Sequence, residues 1–337
     1  MIIKQMPPCS HRTITDLINM LCAEYGPEAA QDMMVENCLD SPSKDIQKKG
    51  MEYLYMHGYF PELKQLIQKN RQSDDPSNRL WGTIYHIMIR QTLREISPHK
   101  TIQLLQHFRE RYSTKEPELL FLIDLIRENA YYQMPQYDRI GKIMVTHQQY
   151  FALMEDRSMV SYFKIRVYKI NVIYHLMRNE LIMARKYAYR VLNSLDSPLI
   201  HAGIHLLLGI SYTFDTYEKG MYHLKKSFEL AKEVKLNYLT ESLKNFYIPF
   251  LSAHFKKVDN ITTKDRGEQA HIELAKGNHA KVIEILDHLP EKDAFQLYYL
   301  GKAKEDKSLL IKSYNHFIEK RSDYFFCRLP INAFKEM

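Results

Sequence analysis

The chain has 337 residues, 45% of them apolar, with only 11 Gly and 13 Pro, which excludes global disorder and suits a helical protein with a sizeable core. The net charge of +7 admits an acidic partner without requiring one. No apolar run reaches the roughly 18 residues of a membrane span, and the opening MIIKQMPPCSH lacks the apolar centre of a signal peptide, so no membrane and a cytoplasmic location are expected. Taken in chain order, residues 1–11, with Pro7 and Pro8, read as irregular. Thr13 or Thr15 caps a first helix to about Tyr25, with Ile14, Leu17, Ile18 and Leu21 on one face. Gly26-Pro27 ends it, and Pro27 suits the first turn of the next helix. Ser43 is the expected N-cap of a helix striped by Met51, Leu54 and Tyr55, and Phe60 to Asn70 is its partner. A polar loop then leads to a long helix carrying Trp81, Ile84, Ile87 and Met88. Thr101 to Arg111 and Glu116 to Asn129 form a pair, and Leu119 to Ile123 is apolar nearly all round, as in a buried helix. One helix from about Asp138 reaches Phe151. Met159 to Met177 and Asn179 to Leu195 pair next, before a break at Asp196-Ser197-Pro198. Pro249 is expected to kink or end the helix at Leu239 to Phe255. Two further pairs, near 268–288 and 295–319, and a final segment from Asp323 complete the chain, with Gly301 as a small contact residue.

The stretch from Leu206 to Lys232, LLLGISYTFDTYEKGMYHLKKSFELAK, organises the rest. Two helical patterns are separated only by Phe214-Asp215-Thr216. Gly209 and Gly220 sit where two antiparallel helices must approach closely. The unit resembles a tetratricopeptide repeat, a helical hairpin of about 34 residues, with Gly220 where Ala is usual. The expected fold is therefore all-α: a right-handed superhelix of degenerate tetratricopeptide-like helical pairs, with roughly sixteen to eighteen helices. The division read from the sequence is an irregular N-terminus at 1–11, N-terminal helical repeats at 12–130 and tetratricopeptide-like repeats at 131–337, continuous with the preceding part.

No pattern for catalysis is present: neither H-E-x-x-H, nor a phosphate-binding P-loop, nor G-x-S-x-G. The expectation is no enzyme, no catalytic residues, no cofactor and no metal. Cys9, Cys22, Cys38 and Cys327 show no zinc-ligand spacing and read as reduced thiols. His201 and His205, one turn apart, lack a carboxylate partner nearby in sequence and read as packing or groove residues. Glu116, Glu118 and Asp124 read as solvated helix surface.

The last quarter contains EQAHIELAKGNHAKVIEILDHLP at 268–290 and LYYLGKAKEDKSLLIKSYNHFIEKRSDYFFCRLP at 297–330. With RVYKINVIYHLMRNE at 166–180 and the spacing around Leu206 to Glu218, these segments resemble the arbitrium receptors of temperate phages, through the E-Q-A-H, Y-Y-L-G and D-x-F-x-x-R-L-P strings. The resemblance implies a helix-turn-helix followed by a superhelix that admits a short secreted peptide and biases the choice between lysis and lysogeny. It transfers Asp323 and Phe325 as peptide-binding residues. The family's polar clamp is expected to be replaced by an apolar groove lining of Ile173, Met177, Leu199 and Ile210. The chain begins about where the family's repeats begin, so no tight, specific DNA binding by this chain alone is expected, and dimerisation is left open. Two readings follow: a peptide receptor of the arbitrium type acting through protein contacts, or a peptide-independent scaffold or Rap-like regulator that binds a protein partner.

Overall fold

The computed structural model describes residues 14–195 and 197–337. The irregular stretch expected at 1–11, a capping role for Thr13 and the Asp196 part of the break before Ser197 lie outside the described residues. Among the described residues every regular element is a helix. In chain order these are α1 (Ile14–Tyr25), α2 (Pro27–Asp40), α3 (Lys44–His57), α4 (Phe60–Arg71), α5 (Pro76–Thr92), α6 (Pro98–Arg111), α7 (Pro117–Gln133), α8 (Tyr137–Met144), α9 (His147–Leu153) and α10 (Arg157–Met177). They continue as α11 (Leu181–Leu192), α12 (Pro198–Ser211), α13 (Tyr217–Glu233), α14 (Asn237–Ser242), α15 (Ile248–His254), α16 (Arg266–Ala275), α17 (His279–Asp287), α18 (Ala294–Ala303), α19 (Lys307–Asn315) and α20 (Arg328–Glu336). The expected helix from Asp138 to Phe151 is two helices, because Thr146 N bonds back to Ile143 O at 3.0 Å and closes α8.

Local chemistry sets the starts of these helices. Ser43, Asp75, Ser97 and Ser197 each accept a main-chain N–H from the first turn of the helix that follows, satisfying donors that a helix leaves open. Proline follows the cap directly in α5, α6 and α12, where its missing N–H costs nothing. Thr15 lies inside α1; its hydroxyl donates to Asp156 Oδ1 at 3.0 Å and lies 2.8 Å from Ser158 Oγ.

The chain divides into two compact units. The first takes the described residues up to Ala130 together with Ile143–Val167; the second takes Tyr131–Lys142 and Tyr168–Met337. In the first unit Trp81, Tyr85, Met88, Leu54 and Phe121 are fully buried. Two of the carboxylates expected on a solvated surface are instead tied into this unit. Glu116 accepts from Trp81 Nε1 at 2.8 Å, Ser77 Oγ at 2.6 Å and Lys48 Nζ at 3.1 Å. Asp124 is 3% exposed and accepts from Arg109 at 2.9 Å and Arg127 at 3.0 Å. A buried carboxylate needs such donors, and apart from Arg127, one turn along the same helix, those donors come from other helices, out of reach of local sequence spacing.

In the second unit the α12–α13 hairpin is built on Gly209 and Gly220. A Cβ at Gly209 would stand 2.5 Å from Leu224 Cδ2 and 3.2 Å from Gly220 O; one at Gly220 would stand 2.8 Å from Leu251 Cδ2 and 3.3 Å from Gly209 O. The two backbones touch, so no side chain fits between them. Gly209→Leu is expected to cost about 1–3 kcal/mol through overpacking, read as a lowered melting temperature. Gly203→Ala, on the same helix, meets only the flexible end of Lys169 at 3.6 Å and should leave stability unchanged or raise it. Equal melting temperatures for wild type and Gly209→Leu would mean that the hairpin is not packed this way.

Pro249 does not end its helix. A single π-helical turn, Leu243–Tyr247, joins α14 to α15, which continues to His254. Pro249 has no N–H to offer the carbonyl of Asn245. Thr263 Oγ1 donates to that carbonyl instead, and Asn245 Oδ1 accepts from Lys264 N at 3.2 Å. A second π turn, His316–Lys320, closes α19.

Candidate functional site

The three strings that carried the resemblance meet in the second unit. Glu268 and His271 come from E-Q-A-H on α16, and Tyr298 and Tyr299 come from Y-Y-L-G on α18. Tyr299 Oη donates to Glu268 Oε1 at 3.0 Å, and Glu268 Oε2 lies 3.2 Å from His271 Nδ1. The His271 ring stacks on Tyr299 with centroids 4.2 Å apart. Burial pushes the Glu268 carboxyl well above the usual carboxylate range and the His271 imidazole well below its own. Burial thus disfavours the charged form of both groups.

His271 of this network, with Tyr298 beside it, lines a cavity of about 920 Å³. The walls are the C-terminal ends of α15, α16 and α18, the α12–α13 turn at Thr213 to Asp215, and one side of α20. His254 lines it beside His271; burial first, then the Lys302 ammonium, lowers the His254 imidazole to about 4. Lys302 Nζ stands 3.8 Å from Glu336 Oε2 across the cavity wall. Arg328, from D-x-F-x-x-R-L-P, lines it too; its guanidinium lies over the Phe214 ring at 4.1 Å and donates to Asn179 Oδ1 at 3.2 Å. Hydrogen-bonding atoms of Thr213, His254 and His271 thus line the cavity, the walls carry both signs of charge, and Phe214, Phe255, Leu274 and Leu329 supply apolar surface. Such a mixture fits a small organic ligand with polar ends better than a bare ion.

Asp323 and Phe325 position this wall. Asp323 Oδ1 accepts from Phe326 N at 2.9 Å, turning the chain toward α20. Tyr324 N donates to Met177 O at 2.7 Å, which ties the segment to the end of α10. Phe325 meets Phe214 edge-on at 5.1 Å. Asp323 Oδ2 is buried with no hydrogen-bond partner among the described residues. Burial raises this carboxyl to about 6 against the opposing pull of Arg321.

Asp323 and Phe325 are each 0% exposed, and Ile173, Met177, Leu199 and Ile210 are 1, 3, 7 and 7% exposed. None of the six lines the cavity. Met177, Asp323 and Phe325 are brought together in the packing that carries Phe214 and Arg328, whereas Ile173, Leu199 and Ile210 are core residues of their helices. Sequence reasoning passed over His254, His271, Lys302 and Arg328 as site residues. For His271 and Arg328 the signal was present in the quoted strings; His254 had none. His205 Nδ1 lies 2.9 Å from His223 Nδ1, and among the described residues no group of three His, Cys, Asp or Glu is placed to hold a metal ion. No helix among the described residues is long and apolar enough to cross a membrane.

The profile of the AimR transcriptional regulator-like family matches residues 30–336. The chain is 24% identical over 237 residues to the uncharacterized protein pXO2-35 of Bacillus anthracis, covering 67% of this chain and 87% of that one. It is 20% identical over 336 residues to the AimR transcriptional regulator of Bacillus phage SPbeta, covering 96% and 84%. Among solved structures, phAimR with its ligand superposes with a TM-score of 0.79 at 22% identity over 99% of this chain and 100% of that one. A selenomethionine form of phAimR gives 0.65 at 21% identity, covering 99% and 87%. At these identities the structural likeness shows the fold, an all-α helical repeat.

Proposed function

The chain belongs to the AimR transcriptional regulator-like family, and from that premise we propose that it is an arbitrium-receptor-like regulator that binds a short communication peptide in its second unit and so biases a phage's choice between lysis and lysogeny. The family is one of regulators, not enzymes. The observation that carries the reading is the convergence of all three motif strings on one cavity of about 920 Å³, through His271, Tyr298 and Arg328. A related protein, phAimR, was solved with a ligand, which supports a ligand-binding role for this architecture. In this proposal Asp323 and Phe325 serve the peptide site by fixing the segment that presents Arg328. Regulation then runs through a protein partner in the cytoplasm, without direct DNA binding by this chain alone.

Isothermal calorimetry against a library of hexapeptides tests the proposal. At least one member should bind wild type, and Arg328→Ala should weaken it by about tenfold or more, since a charge-assisted contact is worth about 1.5–3 kcal/mol. A binder indifferent to Arg328→Ala would place the peptide elsewhere. A library with no binder would leave the peptide-independent scaffold as the better reading.

A further inference from the structure

A second cavity of the same unit, of about 380 Å³, opens between α11 and α13. Tyr212 and His223 are buried and form its floor, stacked at 5.8 Å with ring planes 7° apart. The floor is held from both sides: the Arg185 guanidinium lies 3.9 Å over the Tyr212 ring, and His205 Nδ1 stands 2.9 Å from His223 Nδ1. Tyr189 of α11 and Tyr222 of α13 rise steeply from this floor. Their ring planes make 65° and 72° with that of His223, at centroid distances of 6.4 and 5.1 Å. Tyr189 is 44% exposed and Tyr222 62% exposed. Two open rings set upright against a fixed aromatic floor make a slot, and the partner that such a slot fits is a flat aromatic group.

The charge around the slot is positive. α11 carries Arg185, Lys186 and Arg190 and no acid. α13 carries Lys219, Lys225, Lys226 and Lys232 against Glu218, Glu229 and Glu233. The carboxylates near the slot are already engaged. Glu218, on its rim, accepts from Lys257 at 2.8 Å; Asp215 pairs with Arg185; Glu229 lies 3.6 Å from Lys226. Glu233 stands about three turns along α13 from Tyr222. Arg190 and Lys232 lie over the neighbouring rings of Tyr168 and Phe228. Lys219 borders the slot, 5.8 Å from the Tyr212 centroid, with no ion-pair partner among the described residues. Lys186 and Lys225, equally without one, stand three residues from Tyr189 and from Tyr222, on the same faces of their helices.

We propose that this groove holds a single strand of nucleic acid, one base seated between Tyr189 and Tyr222 and the adjoining phosphates on Lys219, Lys186 and Lys225. Aromatic rings that take a base face, together with cations that follow the backbone, are the two elements of sequence-tolerant single-strand binding. Free cations on both sides of the slot favour a strand over a lone nucleotide. An acidic protein would satisfy the cations but would leave the slot without a flat partner. The inference does not rest on the peptide-receptor reading, and it gives the chain no hold on duplex DNA, whose bases stack on one another and show these rings no face.

Fluorescence anisotropy with labelled decauridylate and decathymidylate tests it, beside an abasic strand and a duplex of the same length. Both pyrimidine strands should bind, and the abasic strand and the duplex should bind about tenfold or more weakly. Tyr222→Leu should lose about tenfold on decauridylate and nothing on the abasic strand. Lys219→Gln and Lys225→Gln should each flatten the slope of log K against log salt by about 0.7, as one lost phosphate contact does for a single strand. All three side chains are exposed, so the melting temperatures should match that of wild type and lost binding cannot be put down to misfolding. An abasic strand or a duplex that binds as well as decauridylate, a Tyr222→Leu variant with full affinity, or salt slopes unchanged in both lysine variants each overturn the inference. So does displacement of decauridylate by an equal concentration of uridine monophosphate, which would reduce the strand to a nucleotide, or of polyglutamate, which would make the surface one for acidic proteins.

Discussion

Arg166→Met is expected to lower stability by about 3–5 kcal/mol. Arg166 Nη1 donates to Glu52 at 2.8 and 3.1 Å, and Tyr85 Oη donates to the same carboxylate at 2.6 Å. Glu52 and Tyr85 are 0% exposed and Arg166 is 6% exposed. The guanidinium also lies 4.9 Å from the centroid of the Tyr55 ring. Removing the arginine leaves a carboxylate in the core with one neutral donor, and burying an unpaired charge costs far more than the pair itself contributes. The same argument predicts a rescue. Glu52→Leu, Tyr85→Phe and Arg166→Met together leave no orphaned polar group, and the triple variant should regain most of the loss. Urea unfolding of the single and triple variants checks both statements. A loss below about 1 kcal/mol for Arg166→Met would mean that water reaches Glu52 and that the pair is not buried in solution.

The contrast between this pair and the helices shows what the sequence made legible. Helix starts are written within a turn: Ser43, Ser97 and Ser197 stand directly before their helices, and each is found capping. The Gly209–Gly220 crossing was legible because both partners lie in one hairpin. Glu52 and Arg166 are 114 positions apart, and no local period joins them. Asp124 looked like any surface carboxylate because its donor Arg109 sits in another helix. The π turn before Pro249 was missed for a related reason: the donor that replaces the missing N–H, Thr263, comes from a loop beyond the helix. At the site, the three strings were legible as strings, but their meeting was not, since it depends on how α16, α18 and α20 stack.

Asp323→Asn should change how stability depends on pH, by an amount on the order of 3 kcal/mol. The Asp323 carboxyl is raised to about 6 in the folded protein from a reference of 3.8. A raised carboxyl favours its protonated form when folded, so its stabilising contribution is complete below about pH 4 and is lost as pH rises through about 6. Asparagine keeps the oxygen that accepts from Phe326 N and cannot ionise. The difference in unfolding free energy between Asp323→Asn and wild type should therefore grow in favour of the variant from pH 4 to just above pH 6, then level off. Other titrating groups contribute equally to both proteins and cancel, apart from Tyr137 and Cys327, which feel this carboxylate but titrate far above the window. Unfolding curves at half-unit pH intervals measure it, and a flat difference would show that Asp323 is solvated rather than buried. The same curves bear on the ligand. A peptide that brings a cation to Asp323 Oδ2 would draw its pKa back toward 3.8 and shrink the slope, because a nearby opposite charge favours the ionised form. A slope unchanged with peptide bound would put Asp323 beneath the site, holding Arg328 in place, rather than in contact with the ligand.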